Sequence, residues 1–445
     1  MSESDPRLAN RILFGLSIGV IAGVVTLLVG AHFPTLLSGA RKLSSSVLDP
    51  FGQVFLRTLF FVVIPLVFAS LAMGVVQLGR LGDLGPLAGR TFVLFFLNMA
   101  VAAGLGLAMM NLLRPGNQLD ANTKAQLIAQ YGSQAAQHVQ NQASATGITL
   151  ASLVDMFMPR NLFGAFVGSN RNALGEVLPL ILFAILVGAA GTTLDADKRA
   201  RLQAGLEMVT ELMTEIVNFA LKLAPFAVPA MIYSVVVKIG FDILAALAVF
   251  VVGCMAMLLL HLFGTMSLWL KLWTDRGPLD FFRQMRTVLL TAFTTSSSAA
   301  TLPAALATAQ GPLGLRPSVA SFVLPLGTTM NMSGTALYEG CVVLFVAQVF
   351  GVDLNIAQQV TLLLLAVLSA VAVAAIPGGS LPLIAGLLIT FGIPPEGIGI
   401  VLGVDRILDM TRTMVNVGSD VVTATVVDAR LRASELRAVK RAASA

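Results

Sequence analysis

Five polar residues near the end of the chain, Asp405, Asp409, Arg412, Asn416 and Asp420, are spaced 4, 3, 4 and 4 apart. At about 100° per helical residue they fall within about 80° of one another and form a single stripe. A guanidinium in that stripe suits two-pronged capture of a carboxylate, and an aspartate suits an ammonium group or a small cation. The plainer alternative is that Asp405, Asp409 and Arg412 only neutralise one another. It leaves Asn416 and Asp420 unexplained.

Two further clusters lie upstream. Gly327-Thr328-Thr329-Met330-Asn331-Met332-Ser333-Gly334-Thr335 is followed by Tyr338 and Glu339. Its glycines and hydroxyls argue for an unwound helix whose carbonyls could coordinate a desolvated cation, against the alternative of a glycine-bearing packing face. The run Thr294-Thr295-Ser296-Ser297-Ser298, before Thr301-Leu302-Pro303, would place hydroxyls and backbone N–H groups at the start of a half-helix. That arrangement favours an anion. A serine run by itself fits a polar loop equally well.

The elements that position these residues must sit in lipid. The 445 residues are 56% hydrophobic and 11% charged, whereas soluble domains carry about 25% charged residues. That composition excludes a soluble enzyme and a disordered chain. The net charge of +5 does not point to nucleic acid, because in a membrane protein the placement of cations matters more than their sum. Cys254 and Cys341 lie in apolar surroundings without metal-binding spacing, and His32, His138 and His261 are scattered. No cofactor is expected.

A helix needs about 20 apolar residues to cross hydrocarbon. Uninterrupted spans cover 12–32, 51–78, 88–113, 243–270 and 316–350. Broken ones cover 150–195, 203–235 (at Pro225 and Pro229) and 397–426, giving eight crossings. Arg7 and Arg11 precede the first span without a persuasive cleavage site, so it is expected to remain as a span. Segments 280–312 and 355–395 are apolar but interrupted, the second by Pro377-Gly378-Gly379-Ser380. Interruptions free backbone groups that lipid cannot satisfy. Each segment is therefore expected to be a re-entrant hairpin, with a kinked single helix as the alternative. Lysines and arginines gather on the side of both termini, which predicts cytoplasmic ends in a multi-pass cell-membrane protein. The Gln-rich part of 114–144 is too polar to insert and reads as an external loop. The succession of hairpin and span, 280–348 then 355–426, suggests an inverted repeat.

NMSGTALYEG at 331–340, SSSAATLP at 296–303, IPGG at 376–379 and DMTRTMVNVGSD at 409–420 together resemble the glutamate transporter family, the dicarboxylate/amino acid:cation symporters. LGRLG at 78–82 and VLPLILFAILVG at 177–188 extend the resemblance more weakly. It implies an all-α membrane protein with eight transmembrane helices, two re-entrant hairpins, inverted repeats and an elevator-type movement, assembled as a homotrimer. A scaffold would comprise 1–80 and 145–235, and a transport domain 85–113 and 238–431. The second hairpin would act as the outer gate, and 432–445 would form a basic cytoplasmic tail.

Carried over residue by residue, Arg412 would bind the side-chain carboxylate of the substrate together with Thr335, and Asp409 its amino group. Thr413 and Asn416 would position the amino acid, with Ser297, Ser298, Pro377 and Gly378 closing over it. Gly327, Asn331, Asn416 and Asp420 resemble one sodium site of the family. Thr329, Met332 and hairpin carbonyls near 370–373 resemble a second. A third site is implied to be lost: the family aspartate is Ser333 here, and its partners align with Phe95, Asn98 and Met99. Glu339 matches the glutamate that carries a proton in proton-coupled relatives. Its alternative role is as a fixed partner of an arginine.

The resemblance thus implies a symporter, not an enzyme, taking up glutamate or aspartate with protons, and with up to two sodium ions in addition. A sodium-coupled dicarboxylate or neutral amino-acid transporter of the same family is the alternative. An intramembrane aspartyl protease would need its two acids on separate helices, unlike Asp405 and Asp409. A passive anion channel would conduct without concentrating its substrate.

Overall fold

Apolar segments fold as helices because a helix satisfies every backbone N–H and C=O group within itself, which hydrocarbon demands. The computed structural model describes residues 6–78, 86–119, 158, 160–167, 177–373 and 379–443, and no strand occurs among them. The described part of the protein is all-helical. Its first part comprises α1 (Pro6–Gly30), α2 (Pro34–Leu43), α3 (Asp49–Phe61), α4 (Val63–Leu78) and α5 (Pro86–Leu113). After a short α6 (Leu162–Val167) come α7 (Val177–Thr192), α8 (Ala196–Ile239), α9 (Asp242–Leu260) and α10 (Met266–Trp273). The last part holds α11 (Pro278–Thr295), α12 (Ser298–Gln310), α13 (Pro317–Met330), α14 (Ser333–Val349), α15 (Ile356–Ala372), α16 (Leu381–Thr390) and α17 (Ile398–Ala443). Most of the polar loop expected at 114–144 and most of LGRLG lie outside the described residues.

Among the described residues three stretches are long and apolar enough to cross a membrane, Leu87–Gln118, Ile243–Trp273 and Pro317–Val349, and the two arms of α8 make a fourth when counted together. The middle stretch stays continuous because a π-helical turn, His261–Thr265, joins α9 to α10. Shorter apolar helices lie at Phe14–Gly30, Ile64–Val76, Leu182–Thr192 and Ile356–Val371. Pro225 and Pro229 sit inside α8 and bend its arms by 51° without ending it. Proline frees one carbonyl partner and crowds the preceding turn, so a bend is the ordinary result. The break expected there is a bend.

Packing places α14 at the centre: all 17 of its residues are buried. Against it, Gly106 of α5 approaches so closely that a Cβ would stand 2.6 Å from Leu337 O. Phe250 of α9 stacks on Phe345 at 4.6 Å between ring centres. Gln348 ties the end of this helix to α5, donating to Met110 O at 3.0 Å and accepting from Gly116 N at 3.2 Å. At the opposite end Arg316 reaches Asp428 of α17 at 2.6 Å and Glu435 at 2.8 Å. Those two bonds hold its guanidinium further above the usual arginine range, against the small opposing effect of burial.

Elsewhere α1 lies along α8 through Gly15, Gly19 and Gly23, which face Pro225, Pro229, Ile232 and Val236. Glycines four apart put their bare backbones on one face, and van der Waals contact then holds the helices together without a hydrophobic driving force. A Cβ at Gly19 would stand 2.6 Å from Pro229 O. Gly19→Leu should therefore push α1 from α8 and destabilise the fold by about 1–3 kcal/mol, read as a lower thermal unfolding midpoint in detergent. An unchanged midpoint would show that this contact is slack.

Candidate substrate and cation site

The stripe on α17 is buried along its length: Asp405, Asp409, Arg412, Asn416 and Asp420 are all 6% exposed or less. Its surroundings come from broken helices. The first hairpin turns at Ser296, whose φ of 51° is left-handed and ends α11, and Ser297 begins α12 with its hydroxyl accepting from Ala300 N at 3.2 Å. Thr294 and Thr295, expected in the tip, still belong to α11. Between α13 and α14 only Asn331 and Met332 leave the helix, a shorter interruption than the nine-residue cluster suggested. The arms expected of the second hairpin are α15 and α16, and the segment between them contains Pro377 and Gly378. Both lie outside the described residues.

Arg412 is the centre of the charge network. Its Nη2 and Nε donate to Asp409 Oδ1 at 2.7 and 3.0 Å, and Nη1 lies 3.5 Å from Asp405 Oδ1. The guanidinium sits 4.5 Å from the centre of the Tyr338 ring, a cation–π contact. Arg406 adds a second cation, with Nη1 3.6 Å from Asp409 Oδ2. Two acids and two arginines thus cancel. The neutralising pair is present, but it does not use up the arginine: Nη1 has no hydrogen-bond partner among the described residues.

Arg412 lines a cavity of about 20 Å³ together with Ser296, Ser298, Met332, Thr335, Val373, Gly379, Ser380, Asp409, Thr413 and Asn416. The structure brings Ser298, Thr335, Asp409, Arg412, Thr413 and Asn416 to one chamber. Ser297, the helix cap, is not on its wall. Ser296 and Ser380 are, and their buried hydroxyls also have no hydrogen-bond partner among the described residues. Ser380 was visible in the sequence only as the residue after Pro-Gly-Gly.

Deeper along the stripe Asn416 joins α17 to the start of α14. Its Oδ1 accepts from Gly334 N at 2.7 Å and Thr335 N at 3.3 Å, and its Nδ2 donates to Thr335 Oγ1 at 3.1 Å. Asp420 accepts from Asn331 Nδ2 at 2.8 Å and stands against Gly327, where a Cβ would collide with its carboxylate. No cation of the protein pairs with it among the described residues. Gly327, Asn331 and Asp420 thus meet one another, while the amide of Asn416 is engaged by Gly334 and Thr335. Met332 lines the chamber, whereas Thr329 is exposed with its hydroxyl bonded to Leu326 O at 3.0 Å.

Around the position of the implied third cation site, Asn98 donates to Asn331 Oδ1 at 2.9 Å and meets His261 Nε2 at 3.0 Å. Ser333 Oγ bonds Ser419 Oγ at 3.1 Å, and Phe95 and Met99 are buried and apolar. His261, set aside at the sequence level as a scattered histidine, is part of this chain. Glu339 is fully buried and accepts from Ser369 Oγ, while its Oε1 has no hydrogen-bond partner among the described residues. No arginine pairs with it there, contrary to its alternative role.

Residues 8–430 match the sodium:dicarboxylate symporter family. The chain belongs to that family. It is similar to a proton/sodium-glutamate symport protein of Bacillus subtilis (strain 168), 33% identical over 422 residues, which are 94% of this chain and 91% of that one. A proton/glutamate-aspartate symporter of Escherichia coli (strain K12) is 30% identical over 94% of this chain and 92% of its own. A C4-dicarboxylate transport protein of Bacillus subtilis (strain 168) is 27% identical over 98% and 96%. The chain is a transporter of the symporter class and not an enzyme.

Asn416 satisfies two buried N–H groups at once. Asn416→Leu should leave both unpaired and cost about 1–3 kcal/mol for each such loss. The thermal midpoint of the substrate-free protein should fall. A variant that lost substrate binding at an unchanged midpoint would restrict Asn416 to a ligand role.

Proposed function

We propose that this chain is a secondary active symporter that takes up glutamate or aspartate together with protons, with sodium as a further coupling ion. The observation that carries the reading is that Arg412, Ser296 and Ser380, each with a buried polar atom that has no hydrogen-bond partner among the described residues, line one chamber together with Asp409. Buried polar groups are ordinarily paired, so three unpaired ones around one space call for a polar ligand. Arg412 and Thr335 would take the side-chain carboxylate, Asp409 the ammonium group, and Thr413 and Asn416 the remaining amino-acid groups. The serines of the first hairpin and the segment holding Pro377 and Gly378 would close over them. A chamber of about 20 Å³ holds little more than one water, so entry of an amino acid requires the hairpins to part. That supports a gating role for the second one.

Charge balance supports cation coupling. Asp405, Asp409, Arg406 and Arg412 sum to zero, which leaves Asp420 and Glu339 as buried acids without a basic partner among the described residues. An acidic amino acid adds a further negative charge. Burying an uncompensated carboxylate costs several kcal/mol, so each acid needs a bound cation or a proton in the state that crosses. Asp420, surrounded by the amide of Asn331 and the backbone at Gly327, suits sodium. Glu339, hydrogen-bonded to a serine hydroxyl and in no ion pair among the described residues, suits a proton. Names of the relatives agree with both ions.

The remaining features of the proposal follow the family architecture: eight crossings and two hairpins, both termini cytoplasmic, and a homotrimer. The scaffold would be 1–80 and 145–235, and 85–113 with 238–431 would move past it as an elevator. A C4-dicarboxylate as substrate is the second reading, favoured by one relative's name and opposed by Asp409, which such a molecule has no ammonium to meet.

In proteoliposomes, Arg412→Lys should lower glutamate and aspartate uptake by about 100-fold or more, since lysine keeps the charge and loses the fork. Uptake at the wild-type rate would overturn the substrate assignment. An inward proton gradient without sodium should drive concentrative aspartate uptake, and Glu339→Gln should abolish that response while leaving sodium stimulation. Asp420→Asn should do the reverse. Indifference of the wild type to pH would refute proton coupling.

A further inference from the structure

A second, larger cavity of about 450 Å³ lies away from the substrate chamber, between the start of α5, the end of α10 and the tail of α17. Its wall is apolar through Val93, Leu94 and Trp273, and its rim carries Arg90, Arg430 and Ser434. We propose that this groove binds an anionic phospholipid, its headgroup phosphate between Arg90 and Arg430 and its acyl chains along α5.

Three observations carry the proposal. The first is the state of the charges. Four arginines cluster where α17 emerges: Arg316 and Arg432 are taken up by Asp428 and Glu435, at 2.6, 2.8 and 2.8 Å. Arg90 has only the hydroxyl of Ser434, at 3.2 and 3.3 Å, and neither it nor Arg430 pairs with a carboxylate among the described residues. Two uncompensated guanidiniums facing one groove complement a phosphate. The second is depth. Residues 415–428 of α17 are buried without exception and those after it are not, so the groove straddles the level where the helix leaves the apolar interior. Trp273 stands there too, as indoles do at membrane interfaces. The third is the wall. Val93 is 66% exposed, and Phe96 and Leu97 continue the same helix outward at 40% and 42%. An apolar strip running from a phosphate site fits acyl chains and offers nothing to a free anion. Basic pockets between membrane helices bind anionic headgroups for these reasons.

A lipid held there would bridge α5 and α17. The test uses the full-length protein in detergent, mixed with palmitoyl-oleoyl phosphatidylglycerol or with phosphatidylcholine of the same chains, and reads bound lipid by native mass spectrometry and the thermal midpoint. Phosphatidylglycerol should be retained roughly tenfold more than phosphatidylcholine and should raise the midpoint. Arg430→Gln should reduce that retention about fivefold, and Arg90→Gln with Arg430→Gln should reduce it to the phosphatidylcholine level. Arg430 is exposed and makes no side-chain bond of its own to any described residue, so its single replacement does not endanger folding. Equal retention of the two lipids overturns the proposal, as does undiminished phosphatidylglycerol binding by Arg430→Gln. So does a midpoint rise of the same size with millimolar inorganic phosphate alone.

Discussion

The constraint that organises this protein is a guanidinium, Arg412, kept 2% exposed in the middle of an apolar bundle. Isolated there, the charge would be untenable, and even a paired one returns its desolvation cost only with good geometry. Asp409 meets it at 2.7 Å, Asp405 lies beyond, and the Tyr338 ring covers a face. Those partners fix much else. Asp405 and Asp409 must occur at helical spacing from Arg412, Tyr338 must sit on α14, and that helix must be walled in by others on every side. The central packing, with glycines such as Gly106 and Gly334 admitting neighbours to near backbone contact, follows from the need to seal this network from lipid.

Broken helices are the second consequence. Interruptions at Ser296–Ser297 and Asn331–Met332 release backbone groups that hydrocarbon would leave unsatisfied, so they are tolerated only beside other polar groups. They occur beside the α17 stripe. Gly334 N and Thr335 N, exposed by the second break, are satisfied by the amide of Asn416. The chain His261–Asn98–Asn331 continues that satisfaction to the next layer and ends on the carboxylate of Asp420. Ser333 bonds Ser419 in this layer, a pair of neutral hydroxyls. The polar capacity is spent on internal hydrogen bonds.

How far the residues announced this can be judged case by case. The stripe was legible because helical periodicity is a local property, and five polar residues on one face of an apolar helix have few readings. The same rule places the Thr329 side chain: Gly327 and Asn331 are one turn apart on one face, which puts Thr329 on the opposite one, where it is exposed. The helix break at Ser296–Ser297 was legible from an apolar run interrupted by serines. The continuity of α8 through Pro225 and Pro229 was not, since a proline ends or merely bends a helix according to what packs around it. His261 left no trace at all. A single histidine in an apolar span has no spacing partner in its own segment, and its partner Asn98 lies 163 positions away. Ser380 was hidden for a similar reason, as its role depends on a chamber formed by four separate elements.

Selectivity in the proposed cycle follows from what must happen to the Arg412–Asp409 pair when a substrate arrives. The two are bonded to each other, so any ligand that takes Arg412 strands Asp409 unless it also brings a positive group. A dicarboxylate would occupy the arginine and set a second negative charge against the freed aspartate, which has only Arg406, at 3.6 Å, to offset it. A neutral amino acid would offer its ammonium to Asp409 but has no side-chain carboxylate for the guanidinium. An acidic amino acid supplies both groups in one molecule, so the internal ion pair is exchanged for two external ones and neither charge is left bare. The cost of separating a buried pair, several kcal/mol when one partner is simply removed, thereby becomes the basis of discrimination. The protein need not distinguish glutamate from aspartate by this device, since one methylene changes reach and not charge.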